Sequence, residues 1–77
     1  MVLIKAFGQV KEEVGLAEIR VEEEMRNVET LRNYLVEKYP SVRWSSVAIA
    51  VNKQYAADAA PIQSGDEIAL IPPVSGG

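Results

Sequence analysis

The sequence has 77 residues, of which 48% are apolar and 25% are charged, and its formal net charge is −3. This length and composition fit one small globular domain and exclude a wholly disordered chain. Because the sequence has no cysteine and no histidine, it also excludes disulfide scaffolds, thiolate zinc sites, iron–sulfur clusters and catalysis by a Cys or His side chain.

The first predicted element is a strand at residues 2–7, where apolar and β-branched residues are concentrated. Successive side chains of a strand point to opposite faces. Phe7 therefore shares a face with Lys5. We expect the other face of this strand to be the core face, which carries Val2, Ile4 and Ala6.

A helical turn and a second strand are predicted next. Residues 9–14 fit a short helical turn before Gly15, and residues 16–21 alternate apolar and charged side chains. This alternation is typical of a half-buried strand, which we expect to pair with the first one. The three glutamates at 22–24 fit a solvated connection better than an acidic docking patch or a loose cation site, because neighbouring side chains point in different directions.

The one long helix is predicted from Asn27, a good N-cap, to the residue before Pro40. About twelve residues at roughly 1.5 Å each are enough to cross a small sheet. The apolar residues follow the spacing of one helical face, which is expected to pack on the core. These residues are Val28, Leu31, Leu35 and Tyr39.

The second half of the chain has the pattern of short strands joined by turns. Trp44 lies in a loop after the helix, and we interpret it as a packing residue rather than a ligand platform. Asp66 and Glu67 stand at a turn and a strand start, where their side chains point to opposite faces, so we expect no metal there. The predicted strands are at residues 47–51, 54–56 and 67–71.

These elements predict an α+β roll, in which one main helix lies across one face of a mixed sheet of about five strands. The first and last strands are expected to pair centrally and in parallel, because the chain returns to the sheet through a crossover. We expect one domain at residues 1–71 and a flexible C-terminal tail at residues 72–77.

The tail, Pro-Pro-Val-Ser-Gly-Gly, is the most unusual segment of the sequence. Pro72 and Pro73 favour a stiff, extended exit from the sheet. Gly76 and Gly77 have no side chain, so they fit a channel too narrow for other residues. The carboxylate at the tip is a group that ATP-dependent adenylation could activate. The alternative is an inert, frayed end, which this composition disfavours.

The sequence resembles the small, sulfur-carrier subunits of molybdopterin synthase, which are ubiquitin-like β-grasp proteins. The resemblance runs from end to end and includes the segments IKAFGQVKEEVG, VETLR, AVN and SGDEIALIPPVSGG. The diglycine alone marks the wider group of ubiquitin-like carriers, whereas the double proline before it points to the molybdopterin branch. Ser75 departs from the alanine that is common in the family, but it is small enough to pass through the same channel.

The resemblance implies a β-grasp fold and a subunit that donates sulfur without catalysing the reaction. An E1-like enzyme would use ATP to adenylate Gly77, and a sulfur donor such as a cysteine desulfurase system would convert it to a thiocarboxylate. Gly76 and Gly77 would then enter the active site of the large subunit, where sulfur passes to cyclic pyranopterin monophosphate. The implied assembly is a heterotetramer, with no metal and no stably bound cofactor on this chain.

The resemblance also implies a surface that binds the large subunit. Phe7, Ile71 and Tyr55 are apolar or aromatic residues predicted away from the core, and exposed patches of this kind tend to mark interfaces. The alternative is a second, minor core beneath a loop. The residues assigned to partner binding are Phe7, Tyr55, Ile71, Pro72, Pro73, Val74 and Ser75.

Nucleic acid and membranes are not expected as partners. The 8 lysines and arginines are spread singly along the chain, so they form no basic stripe for phosphates. The first apolar stretch is too short for a signal peptide or a membrane span, and we therefore expect a cytoplasmic protein. Three other functions stay open: a sulfur carrier for thiamine or tRNA thiolation, a ubiquitin-like protein modifier, and an interaction module with an inert tail.

Overall fold

The computed structural model describes residues 1–73, in which two helices pack on one face of a five-stranded sheet. The strand order is β2-β1-β5-β3-β4, with β1 and β5 parallel and the other neighbours antiparallel. This confirms the predicted α+β roll and its central parallel pair. The strands are β1 (Val2–Ala6), β2 (Glu18–Val21), β3 (Ala48–Val51), β4 (Gln54–Tyr55) and β5 (Glu67–Ile71), and the helices are α1 (Gly8–Val14) and α2 (Val28–Lys38).

β1 has the alternating burial that the sequence predicts, with Val2, Ile4 and Ala6 facing the core. The strand ends at Ala6, one residue earlier than predicted, because Phe7 is already the N-cap of α1. The predicted helical turn is a helix of 7 residues. It contributes one buried residue, Val10, to the core that lies under the sheet.

Gly15 ends α1 in a conformation that favours glycine. Its φ of 86° lies in the left-handed region, and its N–H donates to the carbonyl of Lys11 at 2.8 Å. The chain then turns back toward the sheet. β2 starts at Glu18, two residues later than the predicted start at Leu16, because the residues between Gly15 and Glu18 complete the turn.

α2 starts where its N-cap predicts. The Oδ1 atom of Asn27 accepts a hydrogen bond from the N–H of Thr30 at 2.8 Å, which satisfies one of the free donors of the first turn. The predicted apolar face is confirmed, since Val28, Leu31 and Leu35 have no exposed area. Tyr39, the last residue of the predicted face, is the half-buried C-cap.

Trp44 packs into the core, as predicted. It is 4% exposed and begins a short 3-10 helix, Trp44–Ser46. Its indole Nε1 donates to the carbonyl of Tyr39 at 2.8 Å, so the polar atom of the buried ring has a partner. The ring therefore fixes the loop after α2 onto the core.

Arg32 connects α2 to the same loop through its guanidinium group. Nη1 donates to the carbonyl oxygens of Trp44 at 2.6 Å and of Val47 at 3.0 Å. Nε lies 3.5 Å from Oδ1 of Asp58, which is within ion-pair distance but makes no hydrogen bond. The guanidinium replaces the water that these partly buried carbonyl groups lose on folding.

A polar network joins the β3–β4 turn to the start of β5. Asn52 and Lys53 have positive φ values of 51° and 73°, as a type I′ hairpin requires. Asn52 accepts from the N–H of Glu67 at 3.0 Å and donates to Asp66 at 3.1 Å, while Asp66 also accepts from the N–H of Gln63 at 2.8 Å. The hydrogen bond from Gln63, followed by that from Asn52, lowers the pKa of the Asp66 carboxyl.

We expect Arg32→Met to lower the free energy of unfolding by about 1.5–3 kcal/mol, because it removes two hydrogen bonds made by a charged donor. Urea unfolding followed by circular dichroism measures this change. Arg20→Met, at an exposed position of β2, is the matched control and should change the free energy of unfolding by less than about 0.5 kcal/mol. Equal losses in the two variants would contradict the bridging role of Arg32.

We expect Asp66→Asn to lower the thermal unfolding midpoint at neutral pH, because Asn52 and Gln63 donate to different oxygens of the carboxylate and the amide replaces one of these oxygens by an NH2 group that cannot accept. The lowered pKa means that the ionised carboxyl stabilises the fold above the unfolded-state pKa of about 3.9, and that this contribution is lost as the pH falls through the folded-state pKa. The difference in midpoint between wild type and variant should therefore shrink as the pH is lowered from about 5 to about 2. Glu12→Gln, on the exposed side of α1, is the control, and a pH-independent difference for Asp66→Asn would contradict this account.

Candidate functional site

The sheet has a second face, opposite the helices, which we call the open face. Side chains on neighbouring strands that are paired in register lie on the same face of a sheet, and residues alternate along each strand. The register of the strands therefore defines which residues belong to the open face. They are Leu3, Lys5, Glu18, Arg20, Ala48, Ala50, Tyr55, Glu67, Ala69 and Ile71.

The middle of the open face is a shallow apolar surface. Ala69 of β5 is paired with Ala50 of β3, which is paired with Tyr55 of β4. Ala50 is only 4% exposed although it lies outside the core cluster, whereas Tyr55 is 75% exposed. Small side chains beside a projecting aromatic ring form a surface suited to receive a partner's side chain.

The start of β5 makes one end of the open face charged. Lys5 Nζ lies 3.0 Å from Oε2 of Glu67, and both side chains are about two-fifths exposed. The hydrogen bond and charge of Glu67, with a smaller effect of Glu18, raise the pKa of Lys5 above its usual range. Because this ion pair is exposed to solvent, it contributes little to stability and more to the charge pattern of the surface.

The end of β5 makes the other end of the open face apolar. Ile71 is paired with Ala48 of β3, and Phe7 follows directly after Ala6, the last residue of β1 that is paired with β5. Phe7 is 50% exposed and Ile71 is half-buried. The structure thus brings Phe7 and Ile71 together at the end of the sheet where β1 and β5 stop. The exposure of Phe7 favours the predicted surface over a minor core beneath a loop.

The tail leaves the sheet beside this apolar end. Pro72 is half-buried and Pro73 is exposed. Gly8, at the start of α1, has a φ of 54°, and a Cβ atom built there would lie 3.2 Å from Cγ of Pro72, so this close approach suits a glycine. The assigned residues Val74, Ser75, Gly76 and Gly77 lie outside the described residues, and the flexibility of the tail stays a prediction.

A cleft of about 310 Å³ lies next to the two prolines, between α1 and the loop after α2. Its lining combines charged, polar and apolar side chains, among them Glu13, Arg43 and Val47. Within residues 1–73, no group of three or more acidic, His or Cys side chains is arranged to hold a metal ion.

Two open-face residues, Ala48 and Ala50, were not singled out by the sequence. Residues 47–51 are apolar at every position, so their alternation does not reveal which of them face the core. The structure resolves this through register, because Ala48 and Ala50 are paired with Ile71 and Ala69.

Among residues 1–73, the structure has no helix with the length and apolar character needed to cross a membrane.

Comparison with known proteins identifies relatives along the whole chain. The model of the ThiS family matches residues 4–77. The molybdopterin synthase sulfur carrier subunit of Escherichia coli is 34% identical over all of this chain and all of that protein. The subunit of the same name in Arabidopsis thaliana is 49% identical over a shorter segment, which covers 56% of this chain and 47% of the plant protein.

Solved structures share the fold over nearly the full chain. One is SAMP1 of Haloferax volcanii, with a TM-score of 0.81 and 28% identity over 99% of this chain and 98% of that chain. Another comes from the complex of subunits 1 and 2 of the molybdopterin-converting factor of Helicobacter pylori, with a TM-score of 0.73 and 32% identity over 99% of this chain and 97% of that chain. The family match and these relatives confirm the resemblance that the sequence indicates, and the chain belongs to the ThiS family, with the ubiquitin-like β-grasp fold.

Proposed function

We propose that the chain is the sulfur-carrier subunit of a molybdopterin synthase and that the Gly77 carboxylate carries the sulfur. The observation that carries this proposal is the position of the tail: β5 ends at Ile71, beside the exposed ring of Phe7, and passes directly into Pro72 and Pro73. A partner bound to this edge of the open face can receive the diglycine that follows. The full-length relative in Escherichia coli supports the same role.

The proposed cycle starts with activation of the tail. An E1-like enzyme transfers AMP from ATP to the Gly77 carboxylate and releases pyrophosphate. The terminal sulfur of a persulfide, on a donor such as a cysteine desulfurase system, then displaces AMP and forms an acyl disulfide with Gly77. A second thiol reduces this disulfide, which releases Gly77 as a thiocarboxylate and leaves a disulfide on the donor. The mixed anhydride is needed because a carboxylate is a poor acceptor for a sulfur nucleophile. We place these steps in the cytoplasm.

The sulfur then passes to the substrate in the active site of the large subunit. The thiocarboxylate of Gly77, followed by Gly76, enters that site, and its sulfur displaces an oxygen substituent of cyclic pyranopterin monophosphate during molybdenum cofactor biosynthesis. Water then cleaves the bond between this sulfur and the Gly77 carbonyl, so that the sulfur stays on the substrate and Gly77 leaves as a carboxylate. The dithiolene product needs two sulfurs, so two carriers act on each product, which fits a heterotetramer. In this proposal the partner supplies the catalytic side chains, and the carrier has no resident metal or stably bound cofactor.

The docking partner is inferred from the open face. Its apolar end carries Phe7 and Ile71, its middle carries Tyr55, and its other end carries the Lys5–Glu67 pair. An apolar patch with a charged border is the arrangement that binds a specific protein partner. The similarity to a chain solved in complex with subunit 2 of the molybdopterin-converting factor supports a large subunit as that partner.

A second candidate function is protein modification, in which the activated Gly77 forms isopeptide bonds with lysines. The similarity to SAMP1, named as a small archaeal modifier protein, favours this candidate. A sulfur carrier for thiamine or tRNA thiolation uses the same Gly77 chemistry with a different acceptor. The double proline at 72–73 favours the molybdopterin role over the thiamine role.

Deletion of Gly77 is expected to abolish sulfur transfer and leave the fold intact, because the terminal carboxyl group then lies on Gly76, one residue short of the reacting position, and the core is unchanged. The measurement is molybdopterin formation by the reconstituted synthase with the activating enzyme, ATP and a sulfur source. Intact-protein mass spectrometry of the wild type should show one oxygen replaced by sulfur at Gly77. Ser75→Ala is the control, and it should retain full transfer because the residue stays small.

Retained molybdopterin formation after deletion of Gly77 would contradict the proposal. The protein-modification candidate predicts a different result, namely higher-mass conjugates on a denaturing gel that depend on Gly77 and ATP. Thiocarboxylate formation without transfer to cyclic pyranopterin monophosphate would point to the thiamine or tRNA pathway instead.

Phe7→Ala and Ile71→Asp are expected to weaken binding of the large subunit without unfolding the domain. Truncation of a central aromatic residue costs more than about 1 kcal/mol in many interfaces, which is roughly a fivefold rise in Kd. Calorimetric titration gives the Kd, and thermal unfolding checks the fold. Val36→Ala is the matched control, since Val36 is 44% exposed on α2, which packs on the opposite face. Parallel losses of stability and binding would support a core role for Phe7 and Ile71.

A further inference from the structure

Leu16 is a large apolar residue that the proposed function leaves without a role. It lies between α1 and β2 and is 50% exposed, the same fraction as Phe7. A single exposed leucine is common on protein surfaces. Leu16 indicates a binding surface only if other exposed apolar residues lie beside it.

The pairing of β1 with β2 places Leu16 next to Phe7. In this antiparallel pair Lys5 is opposite Glu18, and the N–H of Ala6 donates to the carbonyl of Ala17 at 2.9 Å, which carries the ladder one position further. Phe7 directly follows Ala6 and Leu16 directly precedes Ala17, so this hydrogen bond brings the two residues close together. Leu16 belongs to the turn before β2, and its side chain is half-exposed at this end of the sheet.

Leu16 therefore adds an exposed apolar side chain beside Phe7, at the apolar end of the open face. The row consists of Leu16 and Phe7, which flank α1, and of Ile71 with its paired residue Ala48. Charged residues border this row, since Lys5, two residues before Phe7, makes an ion pair with Glu67. The row is thus a continuous apolar stripe with a charged border.

The position of the tail indicates what covers this stripe. Pro72 follows Ile71 directly, and six extended residues reach at most about 20 Å. Any protein that takes Gly77 into its active site must therefore lie close to the stripe. A second copy of the chain has no such requirement, because it does not accept the tail.

We propose that Leu16 is a further contact with the large subunit, packing against an apolar side chain of that partner beside Phe7. This inference rests on the proposed function and names a further residue of the same docking surface. Phe7 alone gives the partner one apolar side chain to pack against, whereas Phe7 and Leu16 together give it two. A partner with a polar residue opposite Leu16 would lose the second of these contacts.

The test compares Leu16→Asn with Val36→Asn in binding to the purified large subunit. Both variants replace a half-exposed apolar residue by the same neutral side chain, so net charge is unchanged and only the position differs. Burial of the exposed half of a leucine corresponds to a roughly fivefold effect on Kd. We expect Leu16→Asn to raise the Kd by about that factor and Val36→Asn to leave it within about twofold, with thermal midpoints alike in both variants.

Three outcomes would overturn the inference. An unchanged Kd for Leu16→Asn, with Phe7→Ala still weakening binding, removes Leu16 from the surface but leaves the proposed function standing. Equal weakening by Leu16→Asn and Val36→Asn indicates a general effect of polarity. If sedimentation velocity shows a wild-type dimer that Leu16→Asn dissociates while the Kd for the large subunit is unchanged, the stripe binds a second copy. A failure of the proposed function is distinct, since the wild-type chain would then not bind the large subunit.

Discussion

The parallel pairing of β1 with β5 is the constraint on which the rest of the structure depends. It sets Ile4 opposite Ile68 and Ala6 opposite Leu70, and all four side chains are buried on the core face. These strands lie at opposite ends of the chain, so their pairing requires the whole intervening segment to cross over the sheet. The loop-closure entropy of that crossover is offset by the apolar residues that the helices bury against the same strands.

The same pairing organises the functional surface. Because β1 and β5 run in the same direction, their ends meet at one edge of the sheet, where Phe7 and Ile71 lie beside the start of the tail at Pro72. The helices stabilise one face, and the other face is left uncovered. The core and the proposed docking surface thus lie on opposite faces of the same strands, so we expect a substitution on the open face to change binding without opening the core.

Local signals in the sequence were enough to determine most elements of this protein. The alternation in the first strand identified its core face, and Asn27 with the proline after the helix identified the limits of α2. These features depend on side-chain period, capping hydrogen bonds and the geometry of proline, all of which act within a few residues. The composition of the tail and its resemblance to a carrier family likewise required no tertiary information, and they led to the proposal that sulfur is carried at Gly77.

Only the tertiary structure decided which residues share the open face. Residues 47–51 are apolar throughout, and Ala48 and Ala50 acquire their place from the strand paired beside them. Leu16 likewise comes close to Phe7 only in the folded chain, through the hydrogen bond from Ala6 to Ala17. Register is set by the side chains and hydrogen bonds of the neighbouring strand, which lies far away in the sequence. Periodicity therefore determined that each strand has two faces, and packing determined which residues meet on each of them.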